Sequence, residues 1–177
     1  MPHMIPVGAF SDESLAGTEA LFMEQVRGGA SVVVFEIDSP GGSVFAGLKW
    51  IKEVNHYRKQ GLKTVCVVDP FAASMGFVFL QAACDVRLMT KGSVLLAHRG
   101  SGSAEGTVEQ MAESVELLEA VNFALSELQA ARMHITVEEF RARVAKHAWS
   151  MGWAEALEVG AIDGTVDAMD LPITEAN

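Results

Sequence analysis

Three short stretches hold residue types that together perform acyl-transfer chemistry. Residues 69–85 read DPFAASMGFVFLQAACD, with Ser74 among small and apolar residues where a β-branched run gives way to a buried helix. The turn Asp38-Ser-Pro-Gly-Gly-Ser43 joins an apolar strand to a helix, and its adjacent Gly41 and Gly42 let backbone N–H groups point outward with no Cβ in the way. His98 closes the run VLLAH. A hydroxyl nucleophile, an imidazole to take its proton and N–H groups to hold an oxyanion are what attack on a carbonyl requires. Each feature also has a plainer reading. A serine at a strand–helix junction is most often an N-cap, a histidine after an apolar run is most often structural, and Pro-Gly-Gly is ordinarily a turn. The joint placement favours chemistry.

The elements around these residues explain that placement. Ser31–Ile37 and Thr64–Val68 are β-branched, nearly unbroken apolar runs that predict strands covered on both faces. Between them Val44, Leu48, Ile51 and Val54 repeat at helical spacing over Val44–Gln60, with Gly61 as the stop. Strand, helix, strand at this length predicts a βαβ unit with parallel strands, whose ligands gather at the strand carboxyl ends. Asp12–Arg27 predicts an amphipathic helix, Met75–Ala83 a buried one, and Val86–Met89 and Val94–Ala97 short strands. After the flexible GSGSAEG at 100–106, Thr107-Val-Glu-Gln is a capping box that opens a long helix with the apolar stripe Met111, Val115, Leu118, Val121, Leu125, Leu128. Thr136-Val-Glu-Glu opens a further helix to about Lys146. A long helix with one apolar seam needs a partner, either its own domain or a neighbouring subunit.

Composition excludes several functions. The chain has 177 residues, half of them hydrophobic, with a formal net charge of −10. Its 13 basic residues are scattered, so there is no basic face to bind nucleic acid. No window reaches the roughly 18 apolar residues of a membrane span, and MPHMIPVGAF lacks the pattern of a signal peptide. Cys66 and Cys84 both sit in apolar runs and read as buried thiols of a reduced compartment rather than a disulfide or zinc site. A cytoplasmic location is expected.

DSPGGSVFAG, then AASMG, then LLAH, in this order and at these intervals, resemble the Clp protease proteolytic subunit and its relatives. The resemblance covers roughly residues 5–167 and includes the closing EALEVGAIDGTVD. It implies an α/β fold of the crotonase-like ββα superhelix type, with a long protruding handle helix. It implies a single peptidase domain over 1–177, with its core in about 5–100 and 147–167 and its handle helices in about 107–146. The implied activity is that of a serine-type endopeptidase, cleaving a peptide or protein substrate within a homo-oligomer assembled through the handle. No cofactor or metal is implied. Carried over residue by residue, Ser74 is the nucleophile, His98 its general base, and the N–H groups of Gly42 and Met75 the oxyanion hole. Gly41 and Ser43 would touch substrate.

Two departures from the family pattern stand out. The family's third catalytic residue is an aspartate shortly after the handle, where this chain reads ARVAKHAWSMGWAEA. Aligning the aromatic residue puts His147 at that position, and aligning Ser150 puts Lys146 there. Lys146 is of interest because related signal-peptide peptidases use a Ser-Lys dyad. The amino terminus is also too short for the family's axial loops, which argues against docking of an AAA+ unfoldase. Two alternatives stay open: a scaffold of the same family that lost its chemistry, and a crotonase-type acyl-CoA enzyme. The latter would share the Pro-Gly-Gly turn and a passage similar to ACDVRL, but would carry glycines where this chain has Ala-Ala-Ser-Met. Specificity is expected to lean toward apolar or small residues, on the strength of Phe71, Met75 and Phe77.

Overall fold

A computed structural model describes residues 3–167. Helices and strands alternate from the start: β1 (Ile5–Val7), α1 (Asp12–Arg27), β2 (Val32–Ser39), α2 (Val44–Arg58), β3 (Lys63–Ala73) and α3 (Met75–Ala83). They continue through β4 (Val86–Thr90), β5 (Val94–Ala97), α4 (Val108–Ala130), α5 (Val137–Val144), β6 (Trp149–Met151), α6 (Trp153–Glu158) and β7 (Gly164–Val166). The strands form one seven-stranded sheet with the path β1-β2-β3-β4-β7, parallel throughout. The expected parallel pairing of β2 and β3 is present, in the register Val33 to Thr64 and Phe35 to Cys66. The fold is therefore α/β on a parallel sheet.

β3 is longer than its apolar run. Its first half pairs with β4, while Phe71, Ala72 and Ala73 pair in parallel with Val94, Leu95 and Leu96 of β5. The chain extends through Asp69-Pro70, a cis peptide, because the outer half of β3 has a second partner strand that local composition cannot reveal. β6 then adds to β5 antiparallel, with Leu96 opposite Ser150 and Ala97 opposite Trp149. These pairings carry the chain past Ser74 and His98 on neighbouring strand ends.

The core lies where α1, α2 and α3 cover the sheet. Phe22, Phe35, Trp50 and Phe79 are fully buried and meet edge-to-face or stacked, with Phe22–Trp50 centroids at 5.1 Å and Phe35–Phe79 at 5.3 Å. Such aromatic pairs add about 0.5–1.5 kcal/mol beyond their burial. β2 is not uniformly apolar in its surroundings. Val33, Phe35 and Ile37 are fully buried, while Val34 and Glu36 on the other face are half-buried.

Two ion pairs brace the sheet's far edge. Arg87 on β4 is 3 % exposed; its Nη2 meets Asp163 at 2.6 Å and its Nε donates to the same carboxylate, while its Nη1 donates to both the Gln81 side-chain oxygen and the Gly160 carbonyl. Arg58 meets Asp85 at 2.5 Å. Burial pushes the Asp85 carboxyl up, but the Arg58 guanidinium, the Thr64 backbone N–H and the Thr64 hydroxyl outweigh it and bring the pKa down to about 2. Cys66 and Cys84 are joined by a disulfide, contrary to the expectation of free thiols. Cys66 lies on β3 and Cys84 sits between α3 and β4, so strand pairing brings their Cα atoms to 5.7 Å.

Both capping boxes form as the sequence predicts. Thr107 and Gln110 cap each other's backbone at the start of α4, and Thr136 and Glu139 do so for α5. The apolar stripe of α4 is graded along the helix. Leu125 is buried and Leu118, Val121 and Leu128 are partly covered, but Met111 and Val115 stand exposed. The amino-terminal half of α4 thus projects from this chain's own core.

Candidate active site

Three serines stand at the N-cap position of a helix, and the structure uses them differently. Ser11 caps α1, its Oγ accepting from the Ser14 N–H at 3.0 Å. Ser43 precedes α2 and caps it in the ordinary way, its Oγ accepting from the Ala46 N–H at 3.3 Å. Ser74 precedes α3 and makes no side-chain cap hydrogen bond. Its backbone sits at φ 53°, the one non-glycine residue at positive φ among those described. Such a conformation costs on the order of 1–3 kcal/mol and persists only where the surroundings hold it. They do so here from both sides: the Ser74 N–H donates to the Leu96 carbonyl at 2.9 Å, and the Ser74 carbonyl accepts from Val78 N–H at 3.1 Å. A strained backbone pinned between β5 and α3, with a hydroxyl that bonds none of the described residues, matches the strand–turn–helix elbow that presents a nucleophile.

The glycine turn packs directly on that elbow. Gly41 has φ 97°, and a Cβ there would lie 2.5 Å from the Ser74 Cβ and 3.0 Å from the Met75 nitrogen. Gly42, at φ 142°, would drive a Cβ into the Phe10 carbonyl at 2.4 Å. Phe10 clamps the turn by donating to the Gly41 carbonyl and accepting from the Ser43 N–H, at 2.8 and 2.7 Å, which leaves the Gly42 N–H outside the clamp. The Met75 N–H heads α3, where no intrahelical acceptor exists and the helix dipole favours negative charge. Among the described residues, neither the Gly42 N–H nor the Met75 N–H has a backbone acceptor.

Ser39 and Gly76 escaped the sequence reading and hold this arrangement together. Ser39 is fully buried, and its Oγ accepts from the Gly41 N–H at 3.1 Å. Gly76 lets α3 rest on Ser39, since a Cβ there would come within 2.8 Å of the Ser39 Cβ. A hydroxyl one residue before Pro-Gly-Gly was the available signal.

His98 follows β5 directly. Ala73 pairs with Leu96, so Ser74 and His98 leave adjacent strands one and two residues beyond a shared rung. The imidazole is half-buried, and its Nδ1 lies 2.6 Å from the Arg99 carbonyl. A carbonyl can only accept, so Nδ1 carries the proton and Nε2 is the basic nitrogen. Nε2 has no hydrogen-bond partner among the described residues, Ser74 Oγ included.

His147 and Lys146 lie in the exposed turn between α5 and β6, and neither makes a hydrogen bond or ion pair among the described residues. Continuing the β5–β6 ladder from Ala97–Trp149 sets Ala148 opposite His98. Arg99 pairs with Glu119 of α4, and beside this pair a cavity of about 260 Å³ is lined by Asn122, Ser126 and Arg141 as well. Met75 and Phe77, expected to shape specificity, are instead buried in the core, because α3 turns their side chains inward. Phe45, two residues after Ser43, is 71 % exposed and is the large apolar side chain at the glycine turn.

No helix among the described residues is long and apolar enough to cross a membrane. Among known protein families, the model described as Clp protease matches residues 11–169, which takes in the glycine turn, Ser74, His98, α4 and the turn that follows α5.

Proposed function

Because the chain belongs to the Clp protease family, a family of serine peptidases, we propose that it hydrolyses peptide bonds through Ser74 and His98. The observation that carries this reading is Ser74 itself, at positive φ in a helix-capping position with its hydroxyl bonded to none of the described residues. A structural cap would spend that hydroxyl on the helix, as Ser43 does.

In the reaction, Ser74 Oγ attacks the scissile carbonyl carbon as its proton passes to His98 Nε2. The oxyanion is held by the N–H groups of Gly42 and Met75, a contribution of roughly 3–4 kcal/mol per donor in comparable sites. The imidazolium returns its proton to the leaving amine, and an acyl-enzyme on Ser74 results. Water, deprotonated by the same Nε2, then releases the second product and regenerates the hydroxyl. Throughout, the Nδ1–H bond to the Arg99 carbonyl keeps the basic nitrogen at Nε2. A neutral carbonyl stabilises the imidazolium less than a carboxylate does, so turnover is slow for this class. His147 and Lys146 are the candidates to supply a third catalytic group from the neighbouring turn. Gly41 and Ser43 border the substrate path, with Phe45 offering an apolar contact.

The crotonase-like superhelix and the handle belong to the same reading. The projecting half of α4 exposes Val108, Met111 and Val115 at helical spacing, an apolar face of the kind that pairs with another copy. Peptide substrate and a homo-oligomer complete the proposal. Cleavage of an unstructured protein such as casein is the direct test. Activity that survives intact in both Ser74→Ala and His98→Ala would sink it; loss in both, with unchanged circular dichroism, is the expected result.

A further inference from the structure

The acceptor on His98 Nδ1 is a backbone carbonyl, and a carbonyl is fixed only as firmly as its peptide plane. The Arg99 carbonyl and the Gly100 N–H belong to one peptide unit. The Gly100 N–H donates to Asn122 Oδ1 at 2.6 Å, and Asn122 Nδ2 reaches back to the Gly100 carbonyl at 3.3 Å. Asn122 lies on α4, only 8 % exposed, and its own backbone carbonyl accepts from the Ser126 hydroxyl. Immediately beyond Gly100 comes the exposed Gly- and Ser-rich segment 101–106, which offers no other hold on this peptide.

We propose that Asn122 is a positioning residue for His98, acting through the Arg99–Gly100 peptide in the place a triad carboxylate would take. The chain of bonds runs Asn122 Oδ1, Gly100 H–N, Arg99 C=O, His98 H–Nδ1. An amide whose N–H is already donating is a stronger acceptor at its oxygen, so Asn122 both orients and polarises the group that holds the imidazole. A helix-borne amide replaces a charge with a polarised peptide. The proposal rests on His98 being the general base.

Charged groups around the relay are the Arg99–Glu119 pair, Arg141 across the cavity, and Lys146 and His147 in the turn before β6. These stay constant between Asn122 variants, so a change in pH dependence reports the relay. Asn122→Ala leaves the Gly100 N–H without its acceptor. Asn122→Asp keeps the acceptor and places a negative charge behind the peptide, which favours the imidazolium.

The test measures the rate of Ser74 phosphonylation by a fluorophosphonate probe across pH, together with the ¹⁵N chemical shifts of the His98 ring. Asn122→Ala should label about 10-fold more slowly, within the range seen when orienting partners are removed, and its His98 should populate the other tautomer. Asn122→Asp should recover most of the rate with its midpoint moved to higher pH. Gly100→Ala, whose Cβ would press on Asn122 Oδ1 at 3.3 Å, gives a second and milder way to loosen the clamp. Wild-type rate, pH midpoint and ring shifts in both Asn122 variants would overturn the proposal. A wild type unlabelled at every pH would count against the peptidase reading instead, and the ring shifts would then decide the relay alone.

Discussion

Replacing Gly41 with alanine separates the site's close packing from its backbone strain. The new Cβ would lie 2.5 Å from the Ser74 Cβ and 3.0 Å from both the Ala73 carbonyl and the Met75 nitrogen. Ordinary contact begins near 3.5 Å, so the turn and the elbow must part by about 1 Å. A displacement of that size between reacting groups costs on the order of 100-fold in rate. Alanine at φ 97° adds strain of about 1–2 kcal/mol. Gly61 supplies the control, with φ 104° and open space around the position of a Cβ. Gly61→Ala should lose a similar amount of stability, about 2–8 °C in melting temperature, with wild-type activity. Gly41→Ala should lose that stability and about 100-fold in kcat/KM on a fluorogenic peptide. Equal activities in the two variants would refute the claim that Gly41 is there to let the oxyanion turn touch Ser74.

Acid should weaken the fold in a defined window. The Asp85 carboxyl is held at about 2 in the folded chain, below its unfolded value of 3.8. The unfolded chain therefore binds the proton more readily, and the stabilisation, full above about pH 4, is lost as pH falls toward 2; Asp85→Asn should flatten that part of a urea-denaturation pH profile by about 1 kcal/mol. Reduction of Cys66–Cys84, which closes a loop of 18 residues, should lower stability by about 3 kcal/mol, seen as a drop in the denaturation midpoint with dithiothreitol that Cys66→Ala/Cys84→Ala reproduces without it. The oligomer expected from α4 should dissociate in Met111→Glu/Val115→Glu, measured by light scattering, and a wild type that is monomeric at micromolar concentration would remove the role given to that face.

Much of the fold was legible because local signals and tertiary structure agree. The βαβ unit, the capping boxes at Thr107 and Thr136 and the buried α3 all follow from periodicity and end signals. β6 and β7 were not legible, since three residues are too few to show a period. The disulfide was hidden because both cysteines look like core residues, and their meeting depends on how α3 returns the chain to β4 beside β3. At the site, residue types pointed to Ser74 and the glycine turn, but cap and nucleophile differ only in φ and in where the hydroxyl goes. Met75 and Phe77 were misjudged because direction around α3 depends on which face meets the sheet. Asn122 reads as one polar position on a helix, and its clamp on Gly100 joins residues 22 apart in sequence.

The most direct test of the central claim is intact and peptide mass spectrometry after reaction with a fluorophosphonate. The structure predicts one adduct per chain, located on Ser74 and absent from Ser74→Ala and His98→Ala. Ser43, whose hydroxyl caps α2, serves as the internal comparison and should stay unmodified. A folded chain that takes up no probe at Ser74, or that reacts equally well without His98, would contradict the assignment of Ser74 as an activated nucleophile.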